Sequence, residues 1–389
     1  MQNSRLAPPL SLYIHFPWCI QKCPYCDFNS HALTEELPEG RYITALLNDL
    51  TQDLAQFQET RVIQSIFMGG GTPSLFSAPQ LDRLLIAMQQ QLTFSDDIEI
   101  TLEANPGTFE SDKFAAYRAI GINRLSIGIQ SFNDGHLQRL GRIHSAQEAI
   151  RAVNIAKQAG FDNFNLDLMF GLPESNQQDS LRDVQQAIAL QPSHISFYQL
   201  TLEPNTYFHK YPPALPGDEA IFDEQLACQK LLAEYGYQQY EISAYSQQGR
   251  QCRHNINYWS FGDYLGIGAG AHGKISTALP ANIMRTTKPK QPQQYLRQAK
   301  DDRLLQPIKE SDLPLEFIMN HLRLKKGFSL ETYTQRTGLA AQSLQPALGQ
   351  CVEQGLLLEH GQHYQCSEKG WHFLDSILEN FLSTEITNA

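Results

Sequence analysis

Cys19, Cys23 and Cys26 lie within the eleven-residue stretch WCIQKCPYCDF and are three of the seven cysteines of the chain. Thiols packed this closely serve as metal ligands or as disulfide partners, and the wider cysteine pattern separates the two. An odd total with uneven spacing argues against the paired framework of a secreted chain, so the three are expected to be reduced and available to a metal. A structural zinc site usually takes four protein ligands, and no neighbouring His or Cys offers an obvious fourth. Three thiolates on a tight loop suit a four-iron cluster that keeps one iron open for another ligand. Phe28 stands where a fourth cysteine would extend the run.

Three thiols need a scaffold and neighbours. Short apolar, β-branched segments (SLYIHF, QSIFMG, IEITLEA, RLSIGIQ, FNLDLMFG, HISFYQL) alternate with stretches of helical spacing such as YITALLNDLTQDLAQF and AQEAIRAVNIAKQAG. Near-continuous apolar strands joined by helices predict a parallel sheet covered on its outer face, curled by right-handed crossovers toward a barrel. Six such units make an incomplete (β/α)6 barrel of the α/β class. The strands run in turn into the cysteines, GGGTP, EANP, QSF and GLP. In parallel α/β barrels the loops at the carboxyl ends of the strands converge on one mouth. GGGTP offers backbone unshielded by side chains, and Glu103 is an acid at that mouth.

Composition bounds the rest. A chain of 389 residues, 42% hydrophobic, has ample core and more than one typical domain. The N-terminus has no basic start followed by a long apolar run, and no stretch approaches the roughly 20 apolar residues of a membrane span, so no transmembrane segment and a cytoplasmic location are expected. A net charge of −11 gives no basic field for a phosphate backbone, and nucleic acid is not an expected partner. Residues 1–275 are read as the barrel. Residues 276–312, polar and Pro-containing, are read as a bridging segment. Residues 313–389 are read as helices with a small hairpin and a closing helix, WHFLDSILENFL, a winged-helix-like layout. Acids outnumber bases there, which favours a lid or protein-docking role over DNA binding.

The C-x3-C-x2-C spacing, preceded by a strand and followed by an aromatic, resembles the signature of the radical S-adenosylmethionine (SAM) superfamily. That resemblance implies a [4Fe-4S] cluster on Cys19, Cys23 and Cys26, its open iron chelated by the amino and carboxylate groups of SAM. Gly70, Gly71 and Thr72 match the family's contacts to the methionine amino group, and Glu103 its SAM-binding glutamate. YIHFPWC, RLSIGIQSF…LQRLGR and NLDLMFGLP resemble the branch of oxygen-independent coproporphyrinogen III oxidases and their relatives. This implies Tyr13 and Tyr25 near SAM, with Gln130, Arg142 and Asp167 at its ribose and carboxylate. An Arg fork suits a carboxylate, and Gln and Asp can bond ribose hydroxyls.

The oxidases of that branch resemble C-x3-C-x2-C-x-C and carry a longer segment before the cluster. Phe28, and a first strand only about a dozen residues from the start, point instead to the HemW-type relatives, chaperones that bind haem and deliver it to acceptor proteins. CRHNINYW matches their HNxxYW haem motif, which implicates His254, Asn255, Tyr258 and Trp259. From residue chemistry alone a loop His with two aromatics is also an ordinary packed corner. Cys252 and His272 are nearby alternatives for the iron. His272 belongs to GIGAGAHG, expected on the SAM side, because it lacks the helix and acid of a dinucleotide fingerprint. The resemblance implies haem and haem-acceptor proteins as partners, is compatible with a dimer, and assigns no catalytic residue. Oxidative decarboxylation of coproporphyrinogen and radical chemistry on RNA are the other readings.

Overall fold

Leu10–Phe16, LSLYIHF, alternates apolar and polar side chains, yet nearly all of it is buried. A strand of this kind is covered on both faces. Leu10, Leu12, Ile14 and Phe16 enter the main apolar core, which leaves Ser11, Tyr13 and His15 on the opposite, interior face. In the computed structural model, which describes residues 7–107, 111–277, 282–297 and 303–382, this strand is β1. Five more follow in parallel, each beside the last: β2 (Ile63–Gly70), β3 (Phe94–Ala104), β4 (Arg124–Gln130), β5 (Phe164–Phe170) and β6 (His194–Gln199).

Helices Glu39–Phe57, Ala78–Gln89, Ser111–Ala119, Ala146–Gln158 and Gln177–Ala189 connect them in order. Their apolar stripes close the outer face, as with Tyr42, Ile43, Leu46 and Leu50 of the first; each fully buried aliphatic side chain contributes about 1.5–3 kcal/mol. Two helix starts are set by reciprocal capping boxes, Ser145 with Glu148 and Asn176 with Asp179.

These are the six expected units of an incomplete α/β barrel, and the sheet runs further than predicted. β7 (Gln238–Glu241) and β8 (Ala244–Ser246) extend it antiparallel beyond β6. On the other side of β1 comes β9 (Asp263–Ile267), parallel to it, then the antiparallel strands β10 (His272–Ser276), β11 (Ile283–Thr287) and β12 (Leu304–Pro307). The order is β12-β11-β10-β9-β1-β2-β3-β4-β5-β6-β8-β7, and among the described residues no ladder joins its ends. The segment read as a bridge therefore carries β11 and β12, and a boundary at 275 cuts through β10. Both strands are short, and β12 is exposed along its length, so neither has the apolar run that marks a central strand.

The C-terminal part packs helices Leu313–His321, Leu330–Thr337 and Ala347–Glu353 with a three-stranded sheet formed by Phe328–Ser329 and the hairpin Leu357–His360, His363–Cys366. Its core, centred on Phe317 and Tyr333, also takes in Phe261 and Ile283 from the main sheet region. The expected closing helix is two short helices, Glu368–His372 and Leu374–Glu379, broken at Phe373. Among the described residues no helix is long and apolar enough to cross a membrane.

Candidate functional site

The cysteines sit on a loop closed at its base. Trp18–Cys19 pairs with His31–Ala32 as a two-residue parallel ladder, so the residues between are thrown outward from the end of β1. Cys19, Cys23 and Cys26 are free and half-buried. All three line a cavity of about 130 Å³, together with Glu103, Arg142 and Asp167. Thr72 Oγ1 donates to Cys19 Sγ at 3.5 Å, Arg142 Nη1 to Cys23 Sγ at 3.6 Å, and Cys26 Sγ lies 3.6 Å from Ser30 Oγ. Burial pushes the thiols of Cys19 and Cys26 up, and the Thr72 and Ser30 hydroxyls act the other way. Among the described residues no three His, Cys, Asp or Glu side chains converge on a point where one ion would sit. Three free thiols facing one cavity are ligands suited to a multi-iron cluster, each thiolate on its own iron.

The GGGTP turn is built against the cysteine strand. A Cβ on Gly71 would lie 2.5 Å from the Trp18 carbonyl oxygen, and Gly70 has φ +107° with His15 where its Cβ would go. The N–H groups of Gly71 and Thr72 donate to Phe16 O and Trp18 O, both at 2.7 Å. The glycines thus serve first to let this turn nest under the cluster loop. Gly70 N–H donates to Glu103 Oε2 at 3.1 Å. Burial, with Asp167 nearby, pushes the Glu103 carboxyl up to about 8, against the pull of that amide. Asp167 is raised too, chiefly by burial, while Asn165 donates to its Oδ1 at 2.8 Å and Ser126 to its Oδ2 at 3.3 Å.

Arg142 reaches the same cavity, its Nη2 donating to Asn105 Oδ1 at 2.7 Å and Gly128 O at 2.8 Å. Gln130 adopts φ +71° at a register shift between β4 and β5, and its Oε1 accepts from Tyr198 at 2.8 Å. A non-glycine residue in the left-handed region at a strand end is a backbone bent to aim its side chain. Tyr25 lines the cavity as well. Thr72 lines a small crevice beside it with Cys19, Cys23 and Arg142.

Tyr13 goes elsewhere. It lines a second cavity, of about 880 Å³, that shares Cys26, Phe28 and Ser30 with the first. Here too are His254, Asn255, Tyr258 and Trp259. They stand on a short helix, Arg253–Trp259, between β8 and β9 rather than on the loop read from sequence. His254 is only 7% exposed, its Nδ1 3.2 Å from Ser65 Oγ and its ring against Phe67 and Tyr13. Burial and then Arg124 lower it to about 3, which keeps the imidazole neutral, the form that ligates iron. Of the alternatives, His272 lines this cavity and Cys252 does not. The Cys252 thiol is wholly buried beside Glu99 and raised to about 12, chiefly by burial. Gly270 and His272 of GIGAGAHG therefore line the larger cavity and not the one lined by the three cysteines.

Several lining residues were not singled out from sequence. Asn105, of the EANP strand end, links Arg142 to Thr72 Oγ1, to which it donates at 2.8 Å. Phe67, Lys22 and Lys290 line the larger cavity; no spacing rule marks them, since β2, the cysteine loop and the turn after β11 are brought together only by the sheet.

Parallel strands whose carboxyl ends gather three free thiols, an arginine and two raised carboxyls define a radical SAM protein. Residues 13–186 match the Radical SAM superfamily and residues 308–373 the HemN C-terminal domain. The chain belongs to the HemW family. It is 50% identical to "Heme chaperone HemW" of Escherichia coli and 51% identical to that of Haemophilus influenzae, in both cases over 97% of this chain and 99% of the relative. The solved coproporphyrinogen III oxidase (HemN) from Escherichia coli has the same fold, with a TM-score of 0.81 over 97% of this chain and 91% of its own, at 22% identity.

Proposed function

We propose that the protein is a haem chaperone that carries haem in the larger cavity and releases it to acceptor proteins, beside a [4Fe-4S] cluster and SAM held in the smaller one. The observation that carries this reading is the shared wall. An aromatic-lined cavity of about 880 Å³, within the roughly 300–1,000 Å³ of cofactor sites, abuts the cysteine cavity through Cys26, Phe28 and Ser30. Cys19, Cys23 and Cys26 would hold the cluster, leaving one iron for the amino and carboxylate groups of SAM. Gly70, Gly71, Thr72 and Glu103 would meet the amino group, and Arg142, Gln130, Asp167 and Tyr25 the carboxylate and ribose. Tyr13 belongs, in this reading, to the haem side. His254 would present its second nitrogen to the iron, with Asn255, Tyr258 and Trp259 beside the porphyrin.

Phe28 favours carriage over decarboxylation. It is 62% exposed between the two cavities, where the oxidases place a thiol, and an aromatic ring offers a porphyrin a contact face but no redox chemistry. The relatives named heme chaperones support the same choice. The purified chain should develop a Soret band on haem addition under anaerobic reducing conditions and lose it to an added acceptor apoprotein. If it instead binds no haem and converts coproporphyrinogen to protoporphyrinogen with SAM turnover, the oxidase reading takes its place.

A further inference from the structure

We propose that Lys22 and Lys290 hold the two carboxylates of the tetrapyrrole, so that the larger cavity selects an amphiphilic dianion by a basic rim set against aromatic walls. The proposal rests on the haem reading above and concerns which part of the ligand is recognised.

The charged side chains lining this cavity are Lys22, Lys290 and Asp27, a local positive excess in a chain of net charge −11. Both lysines are tied to one short loop. Lys22 Nζ donates to Phe28 O and Ser30 O, each at 3.1 Å, and Asn29 Nδ2 donates to Lys290 O at 2.9 Å and Ala269 O at 2.8 Å. Carbonyl oxygens satisfy two of the three donors of an ammonium without neutralising its charge. Among the described residues neither lysine has a carboxylate partner, whereas buried Lys274 pairs with Asp263 and buried Lys288 with Asp49 and Asp53. Besides His254, three imidazoles share the lining with them, His15, His31 and His272. His15 is engaged at both nitrogens, by Tyr13 at 2.9 Å and Asn29 O at 2.8 Å. Burial lowers all three, which disfavours their imidazolium forms.

The other walls are rings. Tyr13 stacks on Phe67 with centroids 6.4 Å apart, Phe67 meets His254 at 5.2 Å, and Tyr258 meets Tyr264 at 5.1 Å. A flat, largely apolar ligand with carboxylates on one edge satisfies both regions. A ligand without carboxylates offers these two lysines no counter-charge.

The test compares haem with haem dimethyl ester, in which both carboxylates are capped, by Soret titration of the full chain carrying its cluster. The ester should bind about tenfold or more weakly, as expected for lost charge-assisted contacts. Lys290→Glu should weaken haem binding by a similar factor while leaving ester binding within about twofold. Lys290→Gln and Lys22→Gln should move haem in the same direction by less. Iron and sulfide per chain, unchanged in Lys290→Gln, excludes a folding defect as the cause. Equal affinity for haem and ester overturns the proposal and leaves the haem reading standing. So does a weak ester paired with lysine variants that bind haem like wild type. No Soret change with either ligand in wild type removes the haem reading, and the proposal with it.

Discussion

Glu103 shows what burial does to a single carboxyl at the mouth of the sheet. A carboxyl at the end of β3, facing a cavity with Asp167, is pushed from an ordinary value of 4.5 up to about 8 by burial first and by its acidic neighbour second. A protonated group therefore favours the folded chain. Between pH 4.5 and about 8 the folded state keeps a proton that the unfolded state releases, so stability falls as pH rises through that window and has been lost above it. In the proposed reading, a cationic amino group of SAM beside Glu103 would offset this cost. Glu103→Gln, which is neutral at every pH, should match wild type in urea unfolding near pH 4 and become progressively the more stable of the two toward pH 8.5, while binding SAM at least about tenfold more weakly by equilibrium dialysis. A wild type that gains on the variant as pH rises would contradict the assignment. Glu103 and the cysteines were legible in sequence because each stands at a strand end or in a fixed spacing. Asn105, Phe67 and Lys290 were not, since their roles depend on neighbours from distant strands.

At the scale of elements, the polar alternation within each strand matters as much as its apolar content. LSLYIHF, IEITLEA and FNLDLMF read as nearly continuous apolar strands, and that was enough to predict a parallel sheet. Their interior positions are polar, and several of them pair with one another across strands. Ser11 meets Ser65 at 2.8 Å, Asn165 donates to Ser126 at 2.8 Å, and His194 Nδ1 lies 2.7 Å from Asn165 Oδ1. A polar lumen of this kind holds cavities that an aliphatic barrel core would fill. The strands beyond β6 escaped sequence reading because short antiparallel strands such as Ile283–Thr287 carry Arg and Thr in place of an apolar run.

Helices also position the mouth loops. Asp183, on helix Gln177–Ala189, accepts from Ser131 Oγ at 2.6 Å and from Phe132 N–H at 2.8 Å, and so fixes the loop that follows Gln130. Asp183→Ala would leave both donors buried without a partner, at a cost of about 1–3 kcal/mol. The variant should unfold at lower denaturant and bind SAM more weakly, with iron and sulfide content unchanged. Unaltered SAM affinity would show that Gln130 does not depend on this support.

For the whole molecule, the question is what the C-terminal domain does for the cavity. It touches the HNINYW helix from behind. The Arg323 guanidinium lies 4.3 Å from the Trp259 ring centroid and pairs with buried Glu241 at 3.3 Å, while Phe317 packs on Phe261, two residues past the helix. Backbone bonds from Ile242 N to Arg323 O and from Lys325 N to Tyr240 O stitch the domain to the end of β7. The Trp259 ring is thus braced by a residue outside the barrel, which gives the domain a structural hold on the proposed haem wall. Arg323→Ala removes a cation–π contact worth about 0.5–2 kcal/mol and leaves Glu241, already raised chiefly by burial, without its counter-ion. Haem affinity should fall several-fold and SAM affinity should not, because the smaller cavity contains neither Trp259 nor any residue beyond Tyr198. Arg323→Lys should restore thermal stability by keeping Glu241 paired, yet recover haem binding only in part, since an ammonium lacks the planar face that stacks on indole. If both variants bind haem like wild type, the domain does not act through Trp259, and its contribution lies in the shared core around Phe317 alone.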